Sequence, residues 1–282
     1  MAKRVRDMNN NLESLAPQII KIARKAGKAI LTVYQQDDVG IQTKADATPV
    51  TNADLSANLV IVDGLKQLST QYPILSEESE HTPWQERKNW QRYWLIDPLD
   101  GTKEFINRNG EFSVNIALIE NNYPLLGIVH IPTTDTTYWG GKGLGAWKQD
   151  KGAEAHVIYP RKFTPEREVV VLGSRSYGTA ESRNYLDALK AIYPNLKSKK
   201  VGSALKSCLV AEGQADIYPR LGPTSEWDTA AVQGVVEGVE GLFLNPAGQR
   251  FCYNMKESLI NTDFLVLGDK SIPWADFWPP AT

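Results

Sequence analysis

Cysteine is scarce in this chain. Only Cys208 and Cys252 occur among 282 residues, too few for a disulfide framework and without the spacing of a structural zinc site. They read as two ordinary thiols of a reducing compartment. Histidine is equally thin: His81, His130 and His156 are scattered and make no H-E-x-x-H pair, which argues against a zinc hydrolase of that design. The chain also lacks a G-x-S-x-G elbow and a G-x-x-x-x-G-K-[ST] loop, so neither that kind of serine hydrolase nor a P-loop ATPase or kinase is expected. No apolar run approaches the roughly 20 residues that a membrane span requires. Nor is either charge in excess: 31 Lys and Arg face 33 Asp and Glu, a formal net charge of -2. A surface that tracks a nucleic-acid backbone normally needs a basic surplus, so no nucleic-acid partner is expected. A small phosphate ligand needs only a local Lys or Arg. The basic start, Lys3, Arg4 and Arg6, runs into Asp7 and three asparagines rather than an apolar segment, unlike a secretory signal. The chain reads as cytoplasmic.

What is present suits a soluble globular protein. Hydrophobic residues make up 42% and charged residues 23%, enough for a core of ordinary size. Leu12, Leu15, Ile19, Ile22, Ala26, Ile30 and Val33 recur at steps of three and four, predicting an amphipathic helix with Pro17 confined to its first turn. A second helix is predicted from about Thr51, with Leu55, Leu59, Val62, Leu65 and Leu68 on one face and Tyr72-Pro73 at its end. Apolar runs predict strands at 74–75, 93–96, 112–119 and 125–131, then a glycine-rich hairpin between Tyr138 and Trp147. Beyond Gly152 strands at 169–172, 217–218 and 264–267 alternate with helices at 185–192, 203–210 and 228–236, the texture of an α/β layer. The expected fold class is α/β, with a boundary near 150–165 that separates 1–155 from 156–282. The aromatic tail from Ile272 to Trp278 is expected to pack back on the body. Its alternative is a contact with a partner or with the cytoplasmic face of the inner membrane.

Chemistry enters at Trp94-Leu95-Ile96-Asp97-Pro98-Leu99-Asp100-Gly101-Thr102. An apolar strand runs into two carboxylates three residues apart, with Pro98 restricting the turn and Gly101 permitting a sharp bend. Asp97, Asp100 and the Leu99 carbonyl can converge as hard oxygen donors, the kind that Mg²⁺ takes. The segment from Gly101 to Phe105 can open a helical turn that aims N–H groups at an anion. Taken alone, Asp-Pro and Asp-Gly are also common turn pairs. Ser76-Glu77-Glu78-Ser79 sits at another strand end, where adjacent acids are ordinarily solvated charge. Asp228, in Glu226-Trp227-Asp228-Thr229-Ala230-Ala231, reads as a helix N-cap, and Thr51-x-x-Asp54 as a capping box. Each acid has a structural explanation of its own; together, with no other catalytic equipment in the chain, they suit a Mg²⁺ site.

These segments resemble the inositol monophosphatase superfamily. Asp97 to Thr102 is similar to its D-P-[IL]-D-G-T signature, Glu226 to Ala231 to its W-D-x-A-A signature, and Ser76 to Ser79 to its metal-ligand glutamate segment, in the family's order and separation. Within the superfamily the likeness is to the bisphosphate nucleotidase branch, carried by Tyr93 to Ile119, by Lys103-Glu104 after the threonine, by Asp46 to Asp54 and by Leu209 to Ala215. It runs from about Leu15 to Ser258 and leaves out the aromatic tail. The resemblance implies a layered αβαβα sandwich with a metal-binding N-terminal half and a substrate-binding C-terminal half. It implies a phosphatase with two or three Mg²⁺ ions that removes the 3′-phosphate of adenosine 3′,5′-bisphosphate, or of its sulfated relative. By the same resemblance Glu77, Asp97, the Leu99 carbonyl, Asp100 and Asp228 hold the metals. Asp54 would hydrogen-bond Thr102, and Thr102 with Glu77 would orient the attacking water. Asp100, Gly101, Thr102 and Asp228 would meet the scissile phosphate, and Ser203, Lys206 and Arg220 the rest of the nucleotide. Lithium sensitivity and a place in sulfur assimilation are implied likewise. No interface signature gives an oligomeric state.

Rival readings share part of this pattern. An inositol monophosphatase or fructose-1,6-bisphosphatase would keep the metal site and differ in the pocket after residue 173; Lys103-Glu104 speaks against it. A non-catalytic Mg²⁺ or nucleotide sensor has no need of Thr102 together with Asp54. A two-carboxylate glycosidase explains neither the number of acids nor the Gly101 turn. Without the resemblance, Ser203, Lys206 and Arg220 read as ordinary surface charge.

Overall fold

The computed structural model describes residues 2–44, 49–80, 82–164, 166–175 and 180–278, with no side chains described at 2–11 and 180–183. His81 and residues 46–48 lie outside the described residues. Five layers stack. The first is a helix pair, α1 (Ala2–Tyr34) and α2 (Asn52–Lys66), linked through a short hairpin of β1 (Gln42–Thr43) and β2 (Pro49–Val50). The second is a seven-stranded sheet in sequential order: β3 (Ile74–Ser76), β4 (Arg92–Asp100), β5 (Ser113–Glu120), β6 (Tyr123–Ile131), β7 (Thr136–Gly141), β8 (Gly145–Gln149) and β9 (His156–Val157). Only its β3–β4 pair is parallel. Short helices α3 (Trp84–Arg87) and α4 (Thr102–Ile106) precede and follow β4.

Two helices form the middle layer, α6 (Leu205–Ala211) and α7 (Glu226–Gly238). Beyond them lies a five-stranded sheet, ordered β11 (Leu196–Val201), β10 (Val169–Ser174), β12 (Ile217–Arg220), β14 (Phe264–Leu267) and β13 (Leu242–Leu244). Helix α5 (Ala180–Ile192) and a 3₁₀ turn at Trp274–Phe277 close its outer face.

Period-two alternation explains the layering. On β4, Trp94 and Ile96 enter the core shared with α1 and α2, whereas Tyr93 and Leu95 enter the core shared with α7. The second sheet repeats the device: Val170 and Leu172 face inward, Val169 and Val171 outward. Central strands covered on both faces read as nearly unbroken apolar runs, which is why β4 and β5 stand out in the sequence. Helix α7 is buried almost all round because it is covered on both sides, and its buried polar side chains, Gln233 and Glu237 among them, are hydrogen-bonded. It lies so close to β6 that a Cβ added at Gly127 would sit 1.9 Å from the Ala231 carbonyl oxygen.

Several expectations need correction. Helix α1 begins at Ala2, so Pro17 is inside it; Pro17 and Glu13 are exposed, and water can serve the carbonyl that the proline leaves without a donor. On α2, Leu55 and Leu59 are 41% and 64% exposed, while Ala53, Ala57, Ile61 and Leu65 are buried. The small Ala53 and Ala57 turn inward with Asp54, fixed by the cap at Thr51. Strands β11 and β13 were not expected: β11 is Leu-Lys-Ser-Lys-Lys-Val and lies at an edge of its sheet, where lysines are common. The tail does pack on the body. Ile272 and Phe277 are buried, and the Phe277 and Tyr193 rings stack at 4.7 Å. No helix among the described residues is long and apolar enough to cross a membrane.

Candidate active site

Strand β4 delivers the first acids. Asp97 pairs in register with Asn115 and Asp100 with Ser113, and the ladder shifts between them. Pro98 lies in that irregularity, and the Asp97 Oδ1 accepts the Leu99 N–H at 3.0 Å. Gly101 then takes φ +95° and starts α4, so the chain turns sharply and brings Thr102 back over the strand end. A side chain at Gly101 would be strained by that φ and would meet the Glu111 carbonyl and Ser203. From the parallel neighbour, Glu77 follows β3 and donates its N–H to the Ile96 carbonyl at 3.2 Å. Carboxylate oxygens of Glu77, Asp97 and Asp228 lie within 4.8 Å of one another.

Two helix starts supply the remaining acids, and both do so in the same way. Thr51 caps α2 in a capping box whose N3 residue is Asp54. Asp54 Oδ2 accepts from the Thr51 N–H at 2.7 Å and hydroxyl at 2.6 Å, while Oδ1 accepts the Thr102 hydroxyl at 3.2 Å. Ser225, not Asp228, caps α7, and Asp228 is the N3 residue. Its Oδ2 accepts the Ser225 N–H at 2.8 Å, which leaves Oδ1 for the acid cluster. In each aspartate one oxygen serves the cap; the other meets the Thr102 hydroxyl in Asp54 and is left for the acid cluster in Asp228.

A cavity of about 260 Å³ is lined by Glu77, Asp97, Leu99, Asp100, Gly101, Thr102, Ser203, Lys206, Arg220 and Asp228, with Thr224 and Tyr218 among its other walls. The structure thus brings together every expected site residue except Asp54, which sits buried behind Thr102. Ser203 adopts a left-handed φ of 45°. Its carbonyl accepts Lys206 Nζ at 2.6 Å, and Asp100 Oδ2 accepts the Ala204 N–H. This is why α6 starts two residues later than expected, at Leu205. Arg220 is buried and donates to the Pro223 carbonyl at 2.8 Å.

Crowding of like charge leaves its mark. Loss of hydration drives the Asp97 carboxyl well above the usual range, and Glu77, Asp100 and Asp228 add their repulsion. The same loss pushes Asp228 up to about 8, with Asp100 and Glu77 reinforcing it. Asp100 is pushed up to about 6 by burial, held back by Lys206 and the Ala204 N–H. Burial also lowers Lys206 to about 8, against the pull of Asp100. Asp54 rises through burial, opposed by its hydrogen bonds from Thr51. Hard oxygen donors gathered this closely, with the Asp97, Asp100 and Asp228 carboxyls shifted toward their neutral forms, are what a divalent cation relieves.

Two features were not foreseen. Lys44, beside the β1–β2 hairpin, places Nζ 2.7 Å from Glu77 Oε1 and 2.5 Å from Glu78 Oε1. No spacing signal in the sequence marks it. Behind α7, buried Arg87 donates to Asn254 Oδ1 at 2.6 Å, and the Asn254 N–H reaches both oxygens of buried Glu226 at 2.9 Å. This network clamps the helix start that presents Asp228.

The family profile described as Inositol monophosphatase family matches residues 11–270. The 3′(2′),5′-bisphosphate nucleotidase CysQ of Escherichia coli (strain K12) is 44% identical over 250 residues, covering 88% of this chain and 98% of that protein. The protein of the same name from Haemophilus influenzae is 37% identical over 262 residues, covering 93% and 96%. The crystal structure of CysQ from Bacteroides thetaiotaomicron, described as a bacterial member of the inositol monophosphatase family, superposes with a TM-score of 0.80 at 36% identity, covering 92% of this chain and 98% of that one.

Proposed function

This chain belongs to the inositol monophosphatase family, and from that premise we propose that it is a Mg²⁺-dependent phosphatase that hydrolyses adenosine 3′,5′-bisphosphate to AMP and phosphate. The observation that carries this reading is a single pocket lined both by the Glu77–Asp97–Asp228 cluster and by Lys206 and Arg220. One wall suits metal and scissile phosphate, the other a second phosphate. A further cavity of about 190 Å³ adjoins it, sharing Ser174, Tyr218 and Arg220 and walled by Val171, Leu172, Tyr185 and Leu186. That half-apolar space suits a nucleoside body. The nucleotidases among its relatives support the same choice, and the sulfated bisphosphate is a second substrate that the pocket chemistry admits.

Glu77, Asp97, the Leu99 carbonyl, Asp100 and Asp228 would hold two or three Mg²⁺ ions. Bound there, Mg²⁺ neutralises the phosphoryl oxygens and lowers the pKa of a coordinated water. The chain's own residues do the rest. Thr102 hydrogen-bonds through its hydroxyl to Asp54 Oδ1, so that as Oγ1 takes a proton from the nucleophilic water its own proton passes to the Asp54 carboxylate, and Glu77 orients the water from the other side. Backbone N–H groups after Gly101 receive the scissile phosphate. Lys206 and Arg220, held by Ser203 and Pro223 carbonyls, meet the second phosphate as charge-assisted donors.

The deciding experiment measures phosphate release with Mg²⁺ from adenosine 3′,5′-bisphosphate, inositol 1-phosphate and fructose 1,6-bisphosphate in parallel. Preference for the nucleotide supports the proposal; preference for a sugar or inositol phosphate keeps the metal site and removes the substrate. Silence on all three favours a sensor. Asp97→Asn is expected to abolish turnover at saturating Mg²⁺, and near-normal turnover in that variant would sink the metal assignment.

A further inference from the structure

A groove of about 690 Å³ lies between α1 and the β7–β8 hairpin and shares no lining residue with the acidic pocket. Ala16, a small residue on α1, leaves the gap open, and the backbone of Gly140 on β7 forms part of the wall, since a side chain there would point the other way, toward Ala146. Leu12, Ile20, Leu126 and Leu144 line it, with the Trp139 and Trp147 rings stacked at 6.1 Å and 12° between planes. Both tryptophans remain half-buried. An apolar surface of this extent, left open and rimmed by charge, marks a place where something binds.

The rim says what. Lys21, Arg24, Lys25 and Lys28 follow one another along α1 beside the groove, with Glu13 alone opposing them on that helix's rim. Arg24 is engaged by Thr137 at 3.2 Å, Gln149 at 3.1 Å and Asp135 at 3.9 Å. Lys21, Lys25 and Lys28 are exposed and make no ion pair among the described residues. Lys21 and Lys25, and Arg24 and Lys28, stand four residues apart, where like charges repel. An anion at the rim relieves that repulsion while an apolar body covers the tryptophans. The groove's volume is that of a site for one small molecule, roughly 300–1,000 Å³.

We propose that this groove is a binding site for a single-headed anionic amphiphile, its carboxylate or sulfonate held by Lys21, Lys25 and Lys28 and its apolar chain or ring laid on Trp139 and Trp147. The test is calorimetric titration of the full chain with decanoate, kept monomeric, against decyltrimethylammonium, which has the same chain and opposite charge. One decanoate per chain is expected, weakening as NaCl is raised, with no saturable binding of the cation. The triple variant Lys21→Glu/Lys25→Glu/Lys28→Glu should lose at least tenfold in affinity, and Ala16→Phe, which fills the groove without touching the charges, should lose as much. Both variants should release phosphate at the unaltered rate, which separates a lost ligand from a lost fold. Absence of saturable decanoate binding overturns the proposal, as does equal affinity for the cationic amphiphile or salt-independent binding. It is also overturned if sedimentation finds a dimer that either variant dissociates, or if anionic vesicles capture the protein while monomeric decanoate does not bind.

Discussion

Stripped of divalent cations, the folded protein should become less stable as pH rises from about 5 to about 7.5. In the unfolded chain Asp100 and Asp228 ionise near the ordinary carboxylate value of 3.8; in the fold they are pushed to about 6 and about 8. Between those limits the folded state binds more protons than the unfolded state, so stability falls with pH. A raised carboxyl leaves stability intact below the unfolded value and withdraws it progressively until the folded value is passed. Other groups titrate inside this window too: Glu78 and Glu226, both pushed up to about 7 by burial, add to the fall, and His130, lowered to about 4 by burial, opposes it. Glu111 and Asp269 are lowered by their partners and matter below the window, and Lys206, at about 8, keeps its proton within it. Each unit of pKa shift is worth about 1.4 kcal/mol, and the window spans about one unit of the Asp100 shift and about 2.4 of the Asp228 shift, so the two groups together give a loss on the order of 4–5 kcal/mol. Urea unfolding in EDTA at four pH values reads it directly. Saturating Mg²⁺ should flatten or reverse the slope, because the cation replaces the protons and at about 100 times its dissociation constant stabilises by about 2.7 kcal/mol. A flat or rising stability in EDTA, or no Mg²⁺ effect at pH 7.5, would refute the argument that these acids are crowded for a metal.

Lys206→Ala should raise KM for adenosine 3′,5′-bisphosphate at least tenfold while changing KM for a simple monophosphate far less; equal losses would remove Lys206 from the nucleotide subsite. Gly127→Ala drives a methyl against the Ala231 carbonyl, and the overpacking should cost about 1–3 kcal/mol in chemical denaturation, with a wild-type midpoint refuting the contact. Arg87→Ala leaves the Asn254–Glu226 pair buried without its cation and should cost about 3 kcal/mol or more. If instead the variant keeps its stability and its Mg²⁺ dependence, the clamp behind Asp228 does not hold the helix start.

How much of this was readable from the chain depends on the length scale of each signal. Strands β4, β5, β10 and β14 were legible because burial on both faces leaves near-continuous apolar runs, as in Val169-Val170-Val171-Leu172. Strand β11 was not, since its exposed lysines are set by its place at the sheet edge. The buried face of α2 was misjudged because Leu55 and Leu59 outweigh alanines on any hydrophobicity count, whereas close packing against α1 selects Ala53 and Ala57. The acids show the same limit from the opposite side. Asp54 and Asp228 each carry a cap signature, and local spacing alone cannot separate a cap from a ligand. The structure removes the choice, because a carboxylate has two oxygens and a capping box uses one. A cap at N3 holds the side chain at a fixed point on a helix start and leaves its second oxygen to another partner, Thr102 for Asp54 and the acid cluster for Asp228. Lys44, by contrast, reaches Glu77 across 33 positions of sequence, and only the assembled fold puts the two together.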